Sequence, residues 1–314
     1  MKDSELVVFS GTSNPGLAKS IADCLKTGLG RIEIKRFADG EKYVRFLENI
    51  RGKDVFLIQG TSNPVNENLM ELLVMIDAAR RSSAARITAV MPYFGYARQD
   101  RKAASREPIT AKLVASIISK AGADRVITLD LHSGQIQGFF DIPLDNLTAS
   151  MMLMDYIKHK NLDNLLVVAP DAGAAKNSTK IAEKLGTELA IVNKKRAKHN
   201  EAEAAHIIGE VEGRNCVLFD DMIDTAGTIC GVAEAIKKAG AKEIMVCASH
   251  GLFSGQALER ISKAPISEVI VTDSIPQEAH QKALGKIKVV SIADLVCEAI
   301  KRTHQNESIS CLFE

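Results

Sequence analysis

At 314 residues, the chain is long enough for two domains. Charged residues make up 25% and hydrophobic residues 46%, and the net charge of +1 excludes a global field that attracts nucleic acid or an anionic membrane. No apolar stretch approaches the ~20 residues of a membrane span, and the run Leu6–Phe9 is too short for a signal peptide. Six scattered cysteines without a C-x-x-C pair predict neither a zinc site nor a disulfide framework, so we expect a cytoplasmic protein.

Apolar runs that are typical of buried strands alternate along the chain with helical patterns. The first half is predicted to contain strands at Leu6–Phe9, Asp54–Gln59, Arg86–Met91 and Arg125–Leu129 and helices at Pro15–Leu25, Glu67–Arg80 and Ile109–Ala121. The second half is predicted to contain strands at Leu165–Ala169, Glu188–Asn193, Cys216–Phe219, Ile244–Ser249 and Glu268–Thr272 and helices at Ala172–Leu185, Ile229–Ala239, Gly255–Ser262 and Ile292–Lys301. This alternation predicts an α/β fold with mainly parallel sheets flanked by helices.

The alternation is interrupted by the segment Asp141–Asn146, and we place a domain boundary near residues 145–150. This division predicts an N-terminal domain of residues 1–147 and a C-terminal domain of residues 148–314. Each half contains an apolar strand that ends in acids, at Val126–Asp130 and at Val217–Asp221. The two halves are therefore predicted to be a duplicated domain, although their sequences share little similarity.

Polar residues follow several of the predicted strands, and ligands of such sheets bind beyond the carboxyl ends of the strands. These ends carry Asp130 and His132, then Asp171, then Lys194–Arg196, and then Asp220 and Asp221. His132 and Asp171 can hold magnesium directly or through water, although magnesium prefers oxygen ligands. The alternative is a hydrogen-bonded histidine and an aspartate that caps a helix.

The most informative local pattern is an apolar strand that runs into Asp220 and Asp221 and then into the loop Asp224–Thr228, after which a helical pattern begins. The N–H groups and dipole of a helix start favour a phosphate, Gly227 allows the backbone to come close, and the two threonines of the loop add hydroxyl donors. The paired acids can accept hydrogen bonds from sugar hydroxyls, so the segment predicts a ribose phosphate site. The alternative is an ordinary turn with Asp224 as N-cap.

Each of two basic segments can be interpreted either as a ligand-binding loop or as an ordinary solvated loop. Tyr93–Pro108 places aromatic rings beside arginines, which can sandwich a base and pair a phosphate, and Asn193–Asn200 can close over a triphosphate. Alternatively, both are solvated polar loops. Gly11–Ser20 resembles a P-loop, but Leu17 stands where the lysine is required, so we exclude that motif. No G-x-G-x-x-G follows a strand, which argues against a nicotinamide cofactor.

Together these segments resemble the ribose-phosphate pyrophosphokinases, also called PRPP synthetases, of the phosphate-activated class, over essentially the whole chain. The matching segments are Phe37–Glu41, Tyr96–Asp100, Asp130–His132, Gln135–Pro143, Pro170–Gly173, Lys194–Arg196 and Asp220–Thr228. The last segment is shared with phosphoribosyltransferases generally, whereas the others are more specific. The resemblance implies two phosphoribosyltransferase-type domains that transfer the β,γ-diphosphoryl group of ATP to the anomeric hydroxyl of ribose 5-phosphate, giving PRPP and AMP for nucleotide biosynthesis.

The resemblance also implies roles for individual residues. It makes Lys194 and Arg196 catalytic. It assigns ATP binding to Phe37, Asp39, Gly40, Glu41, Arg98, Gln99, Asp100 and His132. It assigns ribose 5-phosphate binding to Arg196, Asp220, Asp221, Asp224, Thr225, Ala226, Gly227 and Thr228. Magnesium, which accompanies ATP, is assigned to Asp130, His132 and Asp171.

Regulation and assembly are implied in the same way. We expect inorganic phosphate as an activator, ADP as an inhibitor, and a homohexamer built from dimers in which a neighbouring subunit completes the ATP site. The implied allosteric residues are Arg51, Asp145, Asn146, Ser308, Ser310 and Phe313, with the tail 305–314 packing back on the N-terminal domain. Gly134 replaces a serine that is common in the family near this site, and Ala174 and Asn177 depart from the family pattern without removing a catalytic match.

Three other functions remain as alternatives. A phosphoribosyltransferase that consumes PRPP explains Asp220–Thr228 but not the ATP-type loops. A non-catalytic, synthetase-associated regulatory subunit is expected to be altered around Lys194 and Arg196, both of which are present. A nucleic-acid binder that uses the two basic segments conflicts with the net charge of +1. We therefore expect ATP and ribose 5-phosphate as ligands, and neither nucleic acid nor a membrane as a partner.

Overall fold

The structure is a computed structural model that describes residues 4–194 and 205–312. The described residues divide into two compact units, each with a hydrophobic core of its own. The first unit contains the residues up to Thr148, together with Ser274–Pro276 and those from Ser291 onward, and the second contains the remainder. The division into domains 1–147 and 148–314 stays a prediction, and the units differ from it because the end of the chain belongs to the first unit.

The first unit contains a parallel sheet and a separate hairpin. Its elements before Thr148 are β1 (Leu6–Ser10), α1 (Pro15–Cys24), β2 (Ile32–Arg36), β3 (Lys42–Phe46), β4 (Asp54–Ile58), α2 (Val65–Arg81), β5 (Arg86–Met91), α3 (Thr110–Ala121), β6 (Arg125–Leu129) and β7 (Leu144–Leu147). The parallel sheet has the order β1-β4-β5-β6-β7, and β2 pairs with β3 in an antiparallel hairpin.

The second unit contains one larger sheet. Its elements are α4 (Ser150–His159), β8 (Leu165–Ala169), α5 (Ala175–Leu185), β9 (Glu188–Lys194), β10 (Ala205–Ile208), β11 (Asn215–Ile223), α6 (Gly227–Lys238), β12 (Glu243–Gly251), α7 (Ala257–Lys263), β13 (Glu268–Thr272), α8 (Glu278–Ala283) and β14 (Ile287–Val290). The chain then returns to the first unit as α9 (Ala293–Gln305). The sheet order is β10-β9-β8-β11-β12-β13-β14, with β10 antiparallel to β9 and the other neighbours parallel.

Continuous apolar strands explain why both sheets are buried between helices. Every residue of β4 and of β13 is buried, as expected for strands covered on both faces. The predicted α/β fold of mainly parallel sheets flanked by helices is confirmed. In the part of the chain that the structure describes, no helix is both long and apolar enough to cross a membrane.

Several element boundaries differ from those predicted. Strand β11 continues to Ile223 instead of ending at Phe219, because Met222 and Ile223 still pair with β12. Helix α5 begins at Ala175 instead of Ala172. The segment that was predicted to interrupt the pattern, Asp141–Asn146, contributes to β7, which pairs with β6 at the edge of the first sheet. Helix α4 and the β2–β3 hairpin lay outside the predicted elements.

Helix α9 packs against α1 in the first unit, and a disulfide joins Cys24 of α1 to Cys297 of α9. The expectation that the cysteines form no disulfide framework missed this cross-link. The reason is distance along the chain, because the two cysteines are 273 residues apart and a C-x-x-C pattern concerns only neighbours. Cys216, Cys230 and Cys247 are buried and form no disulfide, and Cys311 is exposed and forms none.

Candidate functional site

The predicted acid pair lies inside β11, at a point where one neighbour of the strand has ended. The ladder between β11 and β8 stops at Leu218, whereas the ladder with β12 continues to Ile223. Asp220 and Asp221 therefore belong to a strand that is paired on one side only. This opening beside the end of β8 leaves room for polar side chains at the carboxyl edge of the sheet, where ligands of such sheets bind.

The surroundings of Asp220 raise the pKa of its carboxyl group. Burial raises its pKa to about 7, and a hydrogen bond with Asp221 and the negative charges of Asp221 and Asp171 act in the same direction. Asp220 Oδ1 accepts a hydrogen bond from the Asp221 N–H at 2.9 Å, and Asp221 Oδ1 accepts one from the Met222 N–H at 3.0 Å. The structure thus brings Asp171, which follows β8, close enough to Asp220 for their charges to interact.

The 224–228 loop, defined as Asp224–Thr228, leads from β11 into α6 without a side-chain cap. Helix α6 begins at Gly227, and its N-cap is Ala226, which has a left-handed φ of 60° and makes no side-chain cap hydrogen bond. The N-cap is therefore not Asp224, as the alternative interpretation required. Since the first N–H groups of a helix lack intrahelical partners, this start can bind an anion.

The start of helix α1, unlike that of α6, is capped by the side chain of its N-cap residue. Its N-cap is Asn14, whose Oδ1 accepts a hydrogen bond from the Leu17 N–H at 3.2 Å. This cap occupies the helix start within Gly11–Ser20, the segment that was rejected as a P-loop. At the start of α6 the N-cap residue is Ala226, which has no side-chain oxygen that could cap the helix in this way.

Two residues that follow β12 donate hydrogen bonds to the 224–228 loop, one from the connection to α7 and one from α7 itself. The Ser254 N–H donates to the Asp224 carbonyl at 2.9 Å, and Arg260 of α7 donates from Nη1 to the Thr225 carbonyl at 2.8 Å. Arg260 was not among the predicted site residues. An arginine in a short amphipathic helix carries no local signal that separates it from an ordinary solvated charge.

The ATP candidates at Phe37–Glu41 form the tight turn of the β2–β3 hairpin. The Phe37 N–H donates to the Glu41 carbonyl at 2.8 Å, and the Gly40 N–H donates to the Phe37 carbonyl at 2.9 Å. Gly40 adopts a φ of 100°, which favours glycine. The ring of Phe37 is 51% exposed and lies 5.7 Å from the ring of Tyr43, so an aromatic face is available to a planar ligand.

The second set of ATP candidates, Arg98, Gln99 and Asp100, lies in the loop between β5 and α3. The Gln99 carbonyl accepts a hydrogen bond from the Ala111 N–H at 3.1 Å, and the Thr110 hydroxyl donates to Gln99 Oε1 at 2.6 Å. These bonds attach the loop to the start of α3. Arg98 is exposed, as a residue that contacts a phosphate or a base must be before the ligand arrives.

The magnesium candidates lie after two different strands. Asp130 and His132 follow β6, where Asp130 has a left-handed φ of 36°. Asp171 follows β8, and its Oδ1 accepts a hydrogen bond from the Ala174 N–H at 2.8 Å. Within residues 4–194 and 205–312, no three His, Cys, Asp or Glu side chains are grouped closely enough to hold a metal ion.

The predicted allosteric residues make contacts that are internal to the first unit. Asp145 pairs with Arg125 at 2.5 Å, and Asn146 Oδ1 accepts a hydrogen bond from the Leu131 N–H at 3.0 Å. Ser308 and Ser310 are joined through their hydroxyls at 3.0 Å. Arg51 lies in an exposed turn, and Phe313 lies outside the described residues.

The predicted catalytic residues lie at the edge of what the structure describes. Lys194 ends β9 with its backbone paired to Ala205, and its side chain lies outside the described part. Arg196 lies entirely outside the described residues. Their roles therefore stay predictions.

Comparison with known proteins gives consistent matches at both ends of the chain. A family model described as the N-terminal domain of ribose phosphate pyrophosphokinase matches residues 6–122. A second family model, described as the phosphoribosyl synthetase-associated domain, matches residues 198–314.

Full-length relatives carry the same name. A ribose-phosphate pyrophosphokinase of Chromobacterium violaceum is 52% identical over 98% of this chain and 94% of its own length. Another, of Oceanobacillus iheyensis, is 52% identical over 100% of this chain and 98% of its own. The crystal structure of phosphoribosylpyrophosphate synthetase from Mycobacterium smegmatis is 41% identical, covers 96% of this chain and 100% of its own, and superposes with a TM-score of 0.91.

Proposed function

Because the chain belongs to the ribose-phosphate pyrophosphokinase family, we propose that it transfers the diphosphoryl group of ATP to the anomeric hydroxyl of ribose 5-phosphate. It is an enzyme, and PRPP and AMP are its products. The anomeric hydroxyl attacks the β-phosphorus, and AMP leaves on the opposite side. Such phosphorus chemistry depends mainly on positioning and on neutralising charge.

One observation supports the sugar-phosphate half of the proposal above all others. A single segment combines a half-paired strand that carries Asp220 and Asp221 with a helix start that has no side-chain cap. The carboxylates accept hydrogen bonds from the ribose hydroxyls, and the N–H groups of the 224–228 loop bind the 5-phosphate. Both kinds of partner are needed close together, because the hydroxyls and the phosphate are attached to one ribose.

The remaining roles follow the sequence prediction. The residues proposed to bind ATP are Phe37, Asp39, Gly40, Glu41, Arg98, Gln99, Asp100 and His132. The exposed ring of Phe37 is suited to stack on the adenine. Lys194 and Arg196 neutralise the charge that develops on the transferring group, and losing one such contact typically costs about a hundredfold or more in rate.

Magnesium fits the donor set. Asp130 and Asp171 supply carboxylate oxygens, which magnesium prefers, and the ion normally needs only one or two protein carboxylates because it keeps water and phosphate oxygens as ligands. Asp130 and His132, the latter directly or through water, are proposed to hold it in the first unit, and Asp171 is proposed as a ligand in the second. When bound, magnesium supplies positive charge that neutralises the phosphates.

Regulation, assembly and location are proposed on the resemblance. Inorganic phosphate activates, ADP inhibits, the chain forms a homohexamer, and it works in the cytoplasm. In the allosteric set, Asp145 is already paired with Arg125, so an effector that binds there competes with or extends that ion pair.

The test is an assay of AMP release from ATP and ribose 5-phosphate with magnesium, run with and without inorganic phosphate. We expect release that requires both substrates and that is lost in Lys194→Ala, while that variant still binds ribose 5-phosphate. Consumption of PRPP with a purine base, without AMP release from ATP, would identify a phosphoribosyltransferase instead. A folded chain without either activity would identify a regulatory subunit, and both outcomes would overturn the proposal.

A further inference from the structure

We propose that Arg260 is a positioning residue for the 224–228 loop, which it holds in the conformation that binds the phosphate of ribose 5-phosphate. The inference rests on the proposed function and adds to it a residue from a different element. Arg260 lies on α7, beyond β12, and its Nη1 donates a hydrogen bond to the Thr225 carbonyl at 2.8 Å.

The geometry of the peptide group explains why this bond matters. In a trans peptide, the carbonyl of one residue and the N–H of the next point in opposite directions. Because Arg260 draws the Thr225 carbonyl to its own side, the Ala226 N–H is directed to the other side. The bond therefore fixes the direction of a backbone donor that the 5-phosphate would use.

The backbone at this point needs such support. Ala226 has a φ of 60°, a left-handed conformation that is costly for a residue with a Cβ. No side chain caps α6 at this residue. The Ser254 N–H holds the Asp224 carbonyl at 2.9 Å, and Arg260 holds the next carbonyl, so the loop is fixed at two successive peptides.

Arg260 also brings charge to the loop. A Cβ placed on Gly227 would lie 3.7 Å from Arg260 Nη1, so the guanidinium lies beside the first residue of α6 as well. The titratable neighbour on its own helix is Glu259, which pairs with Lys263 at 2.6 Å and which Arg260 also stabilises as an anion. A guanidinium beside a helix start adds to the field that attracts a phosphate.

A purely structural role is the competing explanation, and exposure argues against it. Arg260 lies on the surface, where a single polar contact contributes little to folding. Lys263 offers a matched control, because it is an exposed cation on the same helix that contacts Glu259 and not the loop. The two variants Arg260→Ala and Lys263→Ala therefore remove similar charges and differ in the bond to Thr225.

The experiment measures steady-state kinetics and calorimetric binding of ribose 5-phosphate for the wild type, Arg260→Ala, Arg260→Lys and Lys263→Ala. In Arg260→Ala we expect KM and Kd for ribose 5-phosphate to rise about tenfold or more, because a hydrogen bond from a charged donor is lost. KM for ATP, and kcat at saturation, should stay within about twofold of the wild type, as should all constants of Lys263→Ala. Arg260→Lys should recover part of the affinity, since an ammonium can still donate one bond to the carbonyl.

The outcomes separate the inference from the proposed function. If the wild type does not bind ribose 5-phosphate, the proposed function fails and the inference fails with it. If the wild type binds but Arg260→Ala binds equally well, only the inference is overturned. A structural role would instead lower the thermal midpoint and change KM for both substrates together, which would also overturn it.

Discussion

At the scale of single residues, Asp220 combines two properties that conflict in the free protein. It is a strand residue whose burial disfavours its charge, and it lies beside Asp221 and near Asp171, which disfavour that charge further. A carboxylate that binds sugar hydroxyls must nevertheless be available at this position. We therefore expect the free protein to carry a local instability that depends on pH.

Asn in place of Asp220 tests this expectation. The folded pKa of about 7 lies above the unfolded value of 3.8, so between these pH values the folded protein holds a proton that the unfolded chain has released. Stability is therefore lost as pH rises through this window. Asp220→Asn should gain thermal stability over the wild type progressively from pH 4 to pH 7, and no further above it.

The matched control is Asp155→Asn, which removes an exposed acid on α4 of the same unit. Because its carboxyl group is exposed to water, this variant controls for the loss of one acid without the loss of a buried one. A constant difference between Asp220→Asn and the wild type from pH 4 to pH 8 would contradict the raised pKa. The measurement is the thermal unfolding midpoint, taken without substrates or magnesium.

At the scale of elements, Glu71 joins three pieces of the first unit. This residue of α2 is fully buried, accepts hydrogen bonds from the Thr12 N–H at 2.7 Å and hydroxyl at 2.8 Å, and pairs with Lys42 of β3 at 2.6 Å. Lys42 directly follows the turn Phe37–Glu41. The buried ion pair thus anchors the hairpin that carries the proposed ATP residues to the helix beneath it.

Glu71→Gln should therefore be costly. It leaves the largely buried Lys42 without a counter-charge, and breaking one side of a buried pair typically costs about 3 kcal/mol or more. We also expect KM for ATP to rise, because the hairpin loses its anchor. Glu33→Gln is the control, since Glu33 pairs with the exposed Lys35 on the same hairpin and is itself only partly buried. This variant should change stability by less than about 1 kcal/mol. Equal effects of the two variants on the chemical unfolding midpoint would refute the anchoring role.

The elements also show what the sequence could predict. Strands that are buried throughout and mainly apolar, such as β4 and β13, were placed close to their observed bounds, because burial on both faces leaves a nearly continuous apolar signal. The β2–β3 hairpin was missed, since its residues are half-exposed and charged residues interrupt its apolar ones. The end of β11 was misplaced because pairing with β12 holds the acids in the strand, against their own preference.

At the scale of the whole molecule, one part of the candidate site follows from a local sequence pattern, and another part depends on contacts between residues that are far apart in the sequence. The acids and the 224–228 loop form one continuous segment, so a local pattern was enough to predict them as a site. The contribution of Arg260 depends on a bond between residues 35 positions apart, which no spacing rule detects. Asp171 was predicted as a site residue because the carboxyl ends of parallel strands share an edge, and its role in binding magnesium stays a prediction.

The return of the chain to the first unit is likewise a long-range feature. A second link, besides the disulfide between Cys24 and Cys297, is made by the buried Asp54 of β4. Its carboxylate forms hydrogen bonds with Arg86 of β5 and with His304 of α9, the latter at 2.8 Å between Oδ2 and Nδ1. Arg86 also donates to the Thr303 carbonyl at 2.9 Å. Together these contacts attach the end of α9 to the strands of the first sheet.

The disulfide between Cys24 and Cys297 leads to a prediction for the intact protein. Protein purified without reductant and then denatured should expose four reactive thiols, from Cys216, Cys230, Cys247 and Cys311, and six after reduction. Reduction, or Cys24→Ala, should lower the thermal midpoint of the first unit, because a bond that closes so long a loop typically contributes about 2–4 kcal/mol. Cys311→Ser is the control, as this thiol is exposed and outside the disulfide, and it should leave the midpoint unchanged. Six reactive thiols before reduction would show that the two cysteines are not joined, and α9 would then be held by the Asp54 network alone.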